Sequence, residues 1–349
     1  MVRLFALFSL IVVGSLPLSA QPREPATFTR IAFASCADQK DPQPLWDALF
    51  AYRPDLFLFI GDNVYGSAPR AALTAEMPVL REAYRLADAQ APYQRVRRDL
   101  RTMAIWDDHD FGLNDGGADH PFKAEAKALF LDFWRVPEND PRRSREGLYF
   151  AEIFGPPGRR IQVIMLDTRW FRSPLERGEP RPGPGPYRPT QDRTTTVLGE
   201  AQWAWLADEL RKPADLRILV SSIQVLAENH AFERWGNFPH ERERLLATLR
   251  DSGAENLLIL SGDRHLAGLY RDSTALPYPL VEATSSPITR PFPAAAEAGP
   301  NHVGAIYGME NFGTLDVDWW AREIAIAIRN VPGEPVRRLV VKFEDLKKR

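Results

Sequence analysis

The sequence predicts an α/β fold in which two β-sheets pack together and helices flank them. Two observations carry that expectation. Short β-branched or aromatic runs alternate with stretches of helical period along most of the 349-residue chain, the pattern of sheets joined by crossover helices. Near the C-terminus three such runs follow one another directly, which calls for an antiparallel element as well.

Taken in order, "RIAFAS" (residues 30 to 35), "DLFLFI" (55 to 60), "MAIW" (103 to 106), "QVIML" (162 to 166), "RILVSS" (217 to 222) and "NLLILS" (256 to 261) are the candidate strands. Residues 44 to 51, 123 to 134, 199 to 210 and 239 to 249 carry helical spacing of apolar side chains. "FGTLDVDWW", "EIAIAIRN" and "RLVVKFEDL" read as the consecutive C-terminal strands. "GEPRPGPGPYRP", residues 178 to 189, is too rich in Pro and Gly to continue either regular structure, and reads as a surface loop. Strands of similar character flank it, so one domain over residues 28 to 345 is expected rather than two.

Ahead of that domain, Arg3 is followed by "LFALFSLIVVGSLPLSA", an apolar stretch ending in small residues before "QPRE". This predicts a signal peptide at residues 1 to 20, cut after Ala20, and hence a periplasmic or secreted protein. A retained anchor is the rival reading, but the stretch falls short of the roughly 20 residues needed to span a bilayer and is broken by Gly14 and Pro17. No stable membrane anchor is therefore expected. The 44 Lys and Arg nearly balance 46 Asp and Glu, for a net charge of -2, so no basic field points to nucleic acid or anionic membrane. Cys36 is the only cysteine and has no partner for an internal disulfide. It is either a small buried hydrophobe or a metal-bound thiolate.

The informative regularity lies at the strand ends. "RIAFA" is followed by Ser35-Cys36, "DLFLFI" by "GDNVYG" with Asp62 and Tyr65, "MAIW" by "DDHD" (107 to 110) and then Asn114, and "NLLIL" by "SGDRH" with Asp263 and His265. Ligands of open α/β sheets bind beyond the carboxyl ends of strands, so four such loops predict one shared site. Any one cluster alone reads as a helix cap or turn. Carboxylates, an imidazole, a phenolate and a thiolate repel one another unless cations sit among them. A dinuclear centre resolves the crowding: two metals roughly 3.5 to 4 Å apart clamp a phosphoryl group and acidify bound water. Asp62 is suited to bridge them.

This ordered set resembles the PhoD-type (alkaline phosphatase D) branch of the metallophosphoesterases. The match runs from about residue 30 to 343, with "SC" at 35 to 36, "GDNVYG" at 61 to 66, "WDDHDFGLND" at 106 to 115, "LDTRWFR" at 166 to 172 and "SGDRHLAGL" at 261 to 269. The resemblance implies a four-layer α/β/β/α sandwich and an alkaline phosphatase that hydrolyses phosphomonoesters and often phosphodiesters. It also implies Fe(III) with Ca(II), with Cys36, Asp62 and Tyr65 on the iron and Asp263 and His265 completing the centre. Asp108 takes the place of a metal-binding Asn in the GNH motif of more distant members, and His109 matches that motif's histidine. Phenolate and thiolate suit a trivalent ion and carboxylates suit calcium, though the donors also fit Zn or Mn. The expected reaction is in-line attack on phosphorus by a metal-bound hydroxide.

Several residues keep two readings. His109 either protonates the leaving oxygen or orients a neighbouring ligand. Asn114 is a phosphate contact or a turn residue. Arg169 and Arg172 offer a bidentate fork to phosphate, with Arg169 taken as the substrate contact, or else pair with Asp167. Asp107 and Asp110 leave the strand in different directions, which leaves one of them structural. Gln224 replaces a superfamily histidine ligand or makes a core hydrogen bond. Trp235 and His240 lie in a segment that, by the resemblance, borders the site. Exported relatives often carry a twin-arginine signal, whereas only Arg3 precedes the apolar run here. The rival functions are a phosphodiesterase or phospholipase-type hydrolase on the same centre, and a noncatalytic metal- or phosphate-binding protein.

Overall fold

The strands predicted to be buried are largely apolar. β2 (Leu56–Ile60), for example, is buried throughout, as strands covered on both faces are. A computed structural model describes residues 26–179, 185–295 and 297–348; the expected leader lies outside the described residues. In chain order the strands are β1 (Arg30–Ala34), β2, β3 (Thr102–Ile105), β4 (Phe150–Phe154), β5 (Ile161–Met165), β6 (Leu216–Val220), β7 (Leu257–Ser261), β8 (Ala267–Asp272), β9 (Leu280–Ser285), β10 (Phe312–Asp318), β11 (Glu323–Arg329) and β12 (Pro335–Lys342). The helices are α1 (Leu45–Tyr52), α2 (Pro78–Asp88), α3 (Ala91–Asp99), α4 (Asp108–Phe111), α5 (Lys123–Phe133), α6 (Pro141–Ser144), α7 (Gly199–Leu210) and α8 (Pro239–Asp251).

These strands form two six-stranded sheets, ordered β12-β11-β10-β1-β2-β3 and β4-β5-β6-β7-β9-β8. β1, β2 and β3 are parallel, while β10 runs antiparallel to β1, with Arg30 opposite Asp316. The C-terminal meander thus widens the N-terminal sheet, as the three consecutive apolar runs predict. In the second sheet β5, β6, β7 and β9 are parallel and β4 and β8 close the edges antiparallel.

A continuous core joins both sheets, including Phe57 and Ile105 of the first and Leu219 and Leu258 of the second. Helices cover the outer faces. Trp46 of α1 packs edge-on against Phe57 and Phe59 of β2. Gln162 of β5 donates to the Glu209 carbonyl of α7 at 2.8 Å, and Trp203 of α7 donates to Glu241 of α8 at 3.0 Å. This is the predicted α/β/β/α arrangement. No described helix is long and apolar enough to cross a membrane.

Four helices and three strands fall outside the sequence expectations, α4 and α6 being single turns of four residues. α2 and α3 are rich in arginine and bury only a narrow stripe, Leu80, Ala83, Tyr84 and Ala87 in one and Tyr93 and Val96 in the other. β4 exposes Glu152 and Ile153, so it lacks the fully buried run that marks β5 beside it. β8 and β9 carry Arg271 and Glu282 within their spans, which hides them from a search for apolar runs.

Candidate metal centre

Strand ends from the two sheets meet so closely that glycine is required at the contact. Gly61, after β2, has φ +126°, and a Cβ on it would lie 2.8 Å from Asp107 Cβ and 3.1 Å from Ser222 Cβ. A Cβ on Gly262, after β7, would lie 2.5 Å from Ser35 Oγ. Loops after β1, β2, β3, β6 and β7 therefore converge. Cys36, Asp62, Asp263 and His265 all sit at left-handed φ, between 48° and 68°. Each such non-glycine residue costs of order 1 kcal/mol or more, and such strain clusters at functional sites.

One donor atom from each of Cys36, Asp62 and His265 lies within 4.8 Å of the others. The same holds for Asp62, Asp108 and His109, and for Asp107, Asp108 and Asp263. The triads are chained: Asp62 belongs to the first two and Asp108 to the last two. Tyr65 joins the first, its hydroxyl 2.9 Å from His265 Nε2. His265 Nδ1 lies 2.6 Å from the Arg290 carbonyl, which can only accept, so Nδ1 carries the proton and Nε2 presents its lone pair. His109 Nδ1 lies 2.6 Å from Ser67 Oγ, and its ring stacks on Tyr65 with centroids 4.1 Å apart.

The electrostatics demand cations. Burial, then the charges of Cys36 and Asp108, pushes Asp62 well above the usual carboxylate range. Burial and the nearby Asp107 and Asp108 do the same to Asp263. Burial also raises the Cys36 thiol and the Tyr65 phenol. Burial opposes ionisation of Asp108, but His109, Arg169 and the Asp115 N–H outweigh it. A multivalent ion inverts this logic by stabilising the deprotonated donors. Asp107 Oδ2 and Asp108 Oδ1 are moreover buried without any hydrogen-bond partner among the described residues. Buried polar atoms are otherwise almost always satisfied, so the donor set fits metal ions.

Cys36, Asp62, Tyr65, Asp108, His109, Asp263 and His265 thus come together from sequence positions more than 200 residues apart. Asn114 is exposed at the cleft and donates to Asp115 Oδ2 at 2.9 Å. Arg169 requires correction. It is completely buried and outside the cleft lining, held by Asp107 at 2.5 Å and Glu233 at 2.5 Å, because a buried guanidinium needs carboxylate partners. It is a positioning residue for Asp107 rather than a substrate contact. Asp167, its expected partner, instead accepts from the backbone N–H of Arg169 and from Trp106. Arg172 pairs with Glu233 and caps the carbonyls of Asp115 and Gly116.

Asp110 is the structural member of its pair, accepting the N–H of Asp107 and of Asn63. Gln224 makes the core hydrogen bonds, to Tyr270 and Thr284. Trp235 is buried and donates to Ser221, and His240 bonds the Thr195 carbonyl.

The centre lies at the base of a cleft of about 660 Å³. Sequence reading did not single out Arg290, Arg264, Phe232 and Phe292 on its walls, nor Ser286, which donates to Cys36 Sγ at 3.0 Å. They come from irregular segments with no periodicity. The one usable signal was that Arg264 lies inside the "GDRH" turn.

Comparisons with known proteins follow the same line. A profile of the PhoD-like phosphatase family matches residues 31–304. Alkaline phosphatase D of Bacillus subtilis (strain 168) is 22% identical over 268 residues, 67% of this chain and 45% of that protein, so the match spans under half of the relative's length. A solved structure of PhoD superposes with a TM-score of 0.69 at 17% identity, covering 92% of this chain and 70% of that one. A purple acid phosphatase from yellow lupin (Lupinus luteus) seeds gives 0.57 at 11% identity, over 92% and 55% of the two chains. At these identities the structural likeness is one of fold.

Proposed function

Because the chain belongs to the PhoD-like phosphatase family, we propose that it is an exported, metal-dependent phosphoric ester hydrolase of alkaline phosphatase type, acting on small-molecule phosphomonoesters and phosphodiesters. The observation that carries this reading is the chain of three donor triads around buried, unpartnered carboxylate oxygens of Asp107 and Asp108. In it, Cys36, Asp62, Tyr65 and His265 would hold one ion, and Asp108 and Asp263 would hold a second next to Asp62. Fe(III) with Ca(II) suits this division of phenolate and thiolate from carboxylates, and Zn or Mn are the competing occupants. Bound ions supply Lewis acidity toward the phosphoryl oxygens and draw a nucleophile from water.

The chain's own residues do the rest. Ser67 Oγ lies 2.6 Å from His109 Nδ1; in the tautomer in which the serine donates there, the proton of His109 sits on Nε2, from which it would be delivered to the leaving-group oxygen. Asn114 at the cleft edge offers a neutral contact to phosphate. Arg290, half-exposed above the Tyr65 ring and 3.5 Å from Asp38, offers a cationic one. Residues 28 to 345 act as one domain, and residues 1 to 20 as the export signal.

Turnover of an aryl phosphomonoester and an aryl phosphodiester, before and after chelation, tests the proposal. Hydrolysis of either substrate that is lost on chelation and regained with metal is expected. A protein that binds metal but turns over neither is a noncatalytic relative, and the proposal fails.

A further inference from the structure

The cleft is much larger than a phosphate group alone requires, and its lining is not uniform in chemistry. One part of the lining is the acidic donor cluster, whereas another carries two aromatic rings, the half-buried Phe232 and the exposed Phe292. Phe292 leaves 41% of its surface exposed. A single exposed phenylalanine needs no explanation. Here, however, both rings are tied to the same turn, the one that supplies Asp263 and His265.

Phe292 is fixed through its backbone, donating its N–H to the His265 carbonyl at 3.1 Å. Its segment is pinned again by Ile288 N–H to Ser35 O at 2.9 Å and Thr289 N–H to Cys36 O at 3.0 Å. The other ring, Phe232, lies 4.3 Å under the Arg264 guanidinium, and Arg264 is held in turn by an ion pair with Glu297. The backbone of Phe292 and the ring of Phe232 are thereby tied to the turn that carries Asp263 and His265. Among the described large hydrophobics that are exposed, Phe292 is the one that lines this cleft; Val79, Ile153, Met309, Trp320 and Val340 do not.

We infer that Phe232 and Phe292 form a subsite for the organic group of the phosphoric ester, and that this group is planar or aromatic. The inference rests on the hydrolase reading above and adds the class of ester to it. A flat apolar group leaving the phosphate meets these rings in stacked or edge-on geometry, which small alkyl esters and polyol phosphates cannot reproduce.

The test uses phosphonates, whose P–C bond is not hydrolysed, so that binding is read apart from turnover. Calorimetry on metal-loaded full-length protein compares 1-naphthylmethylphosphonate with methylphosphonate, for the unaltered chain, Phe292→Ala and Phe292→Trp. The expected result is about tenfold tighter binding of the naphthyl compound. Phe292→Ala takes the ratio of affinities toward one and Phe292→Trp retains it. Binding of methylphosphonate with a ratio near one in the unaltered chain, or a ratio that Phe292→Ala leaves intact, overturns the subsite and leaves the hydrolase reading standing. Failure to bind either phosphonate, together with no turnover, rejects both.

Discussion

Arg169 grips Asp107 by one oxygen only: its guanidinium approaches Oδ1 to 2.5 Å, while Oδ2 stays buried and unpartnered. Ser222 donates to the same Oδ1 at 2.5 Å. Asp107 belongs with Asp108 and Asp263 in one donor triad, so the pair leaves one oxygen of that carboxylate unclaimed beside two other acidic side chains.

Replacing Arg169 with Met should therefore lower stability by about 3 to 5 kcal/mol, the usual consequence of stranding buried carboxylates, here Asp107 and Glu233. Urea unfolding at pH 7 measures it. A raised KM with unchanged stability would return Arg169 to the role of substrate contact.

His109→Ala should lower kcat about 10²- to 10⁴-fold, the range of a lost general acid, with metal content retained. Elemental analysis beside steady-state kinetics checks both halves. Loss of metal in step with activity would make His109 a ligand.

Cys36→Ser should weaken metal retention and lower activity together, because the thiol lies 3.4 Å from Asp62 Oδ2 within the first triad. If iron occupies that triad, the protein is coloured by phenolate-to-Fe(III) charge transfer, and Tyr65→Phe bleaches it. A colourless protein with zinc in both positions rejects iron and keeps the hydrolase.

Stability should also fall on mild acidification through a residue away from the metals' donor set. Burial pulls His120 down to about 4, whereas an unfolded histidine titrates near 6.5. The unfolded chain takes up this proton first, so the contribution of His120 is complete above about pH 6.5 and is lost as pH falls toward 4. His120 Nδ1 accepts the Phe122 N–H at 2.9 Å, a bond that Asn can imitate. His120→Asn should therefore flatten the decline in urea midpoint across that window, and an unchanged slope would assign the decline elsewhere.

Much of the fold was legible because β2, β5, β6 and β7 are fully buried and largely apolar, interrupted only by Gln162, Arg217 and Ser261. The site was legible because its donors stand immediately after β1, β2, β3 and β7 in the sequence. Arg169 was misread because its partners, Asp107 and Glu233, lie 62 and 64 residues away, and no local spacing announces such a pairing. Phe292 and Arg290 were missed for a related reason: hydrogen bonds to Ser35, Cys36 and His265 place them, and irregular backbone carries no period. α2 and α3 were hidden by arginines on their exposed faces.

The central claim is that buried carboxylates, a thiol and a phenol converge because metal ions hold them there. Elemental analysis of protein purified without chelator or added metal, for the unaltered chain and for Asp62→Asn, tests it most directly. The account predicts about two ions per chain, both diminished in Asp62→Asn along with phosphoester turnover. A fully active protein without stoichiometric metal, or an Asp62→Asn variant that keeps its metal and its rate, would contradict it.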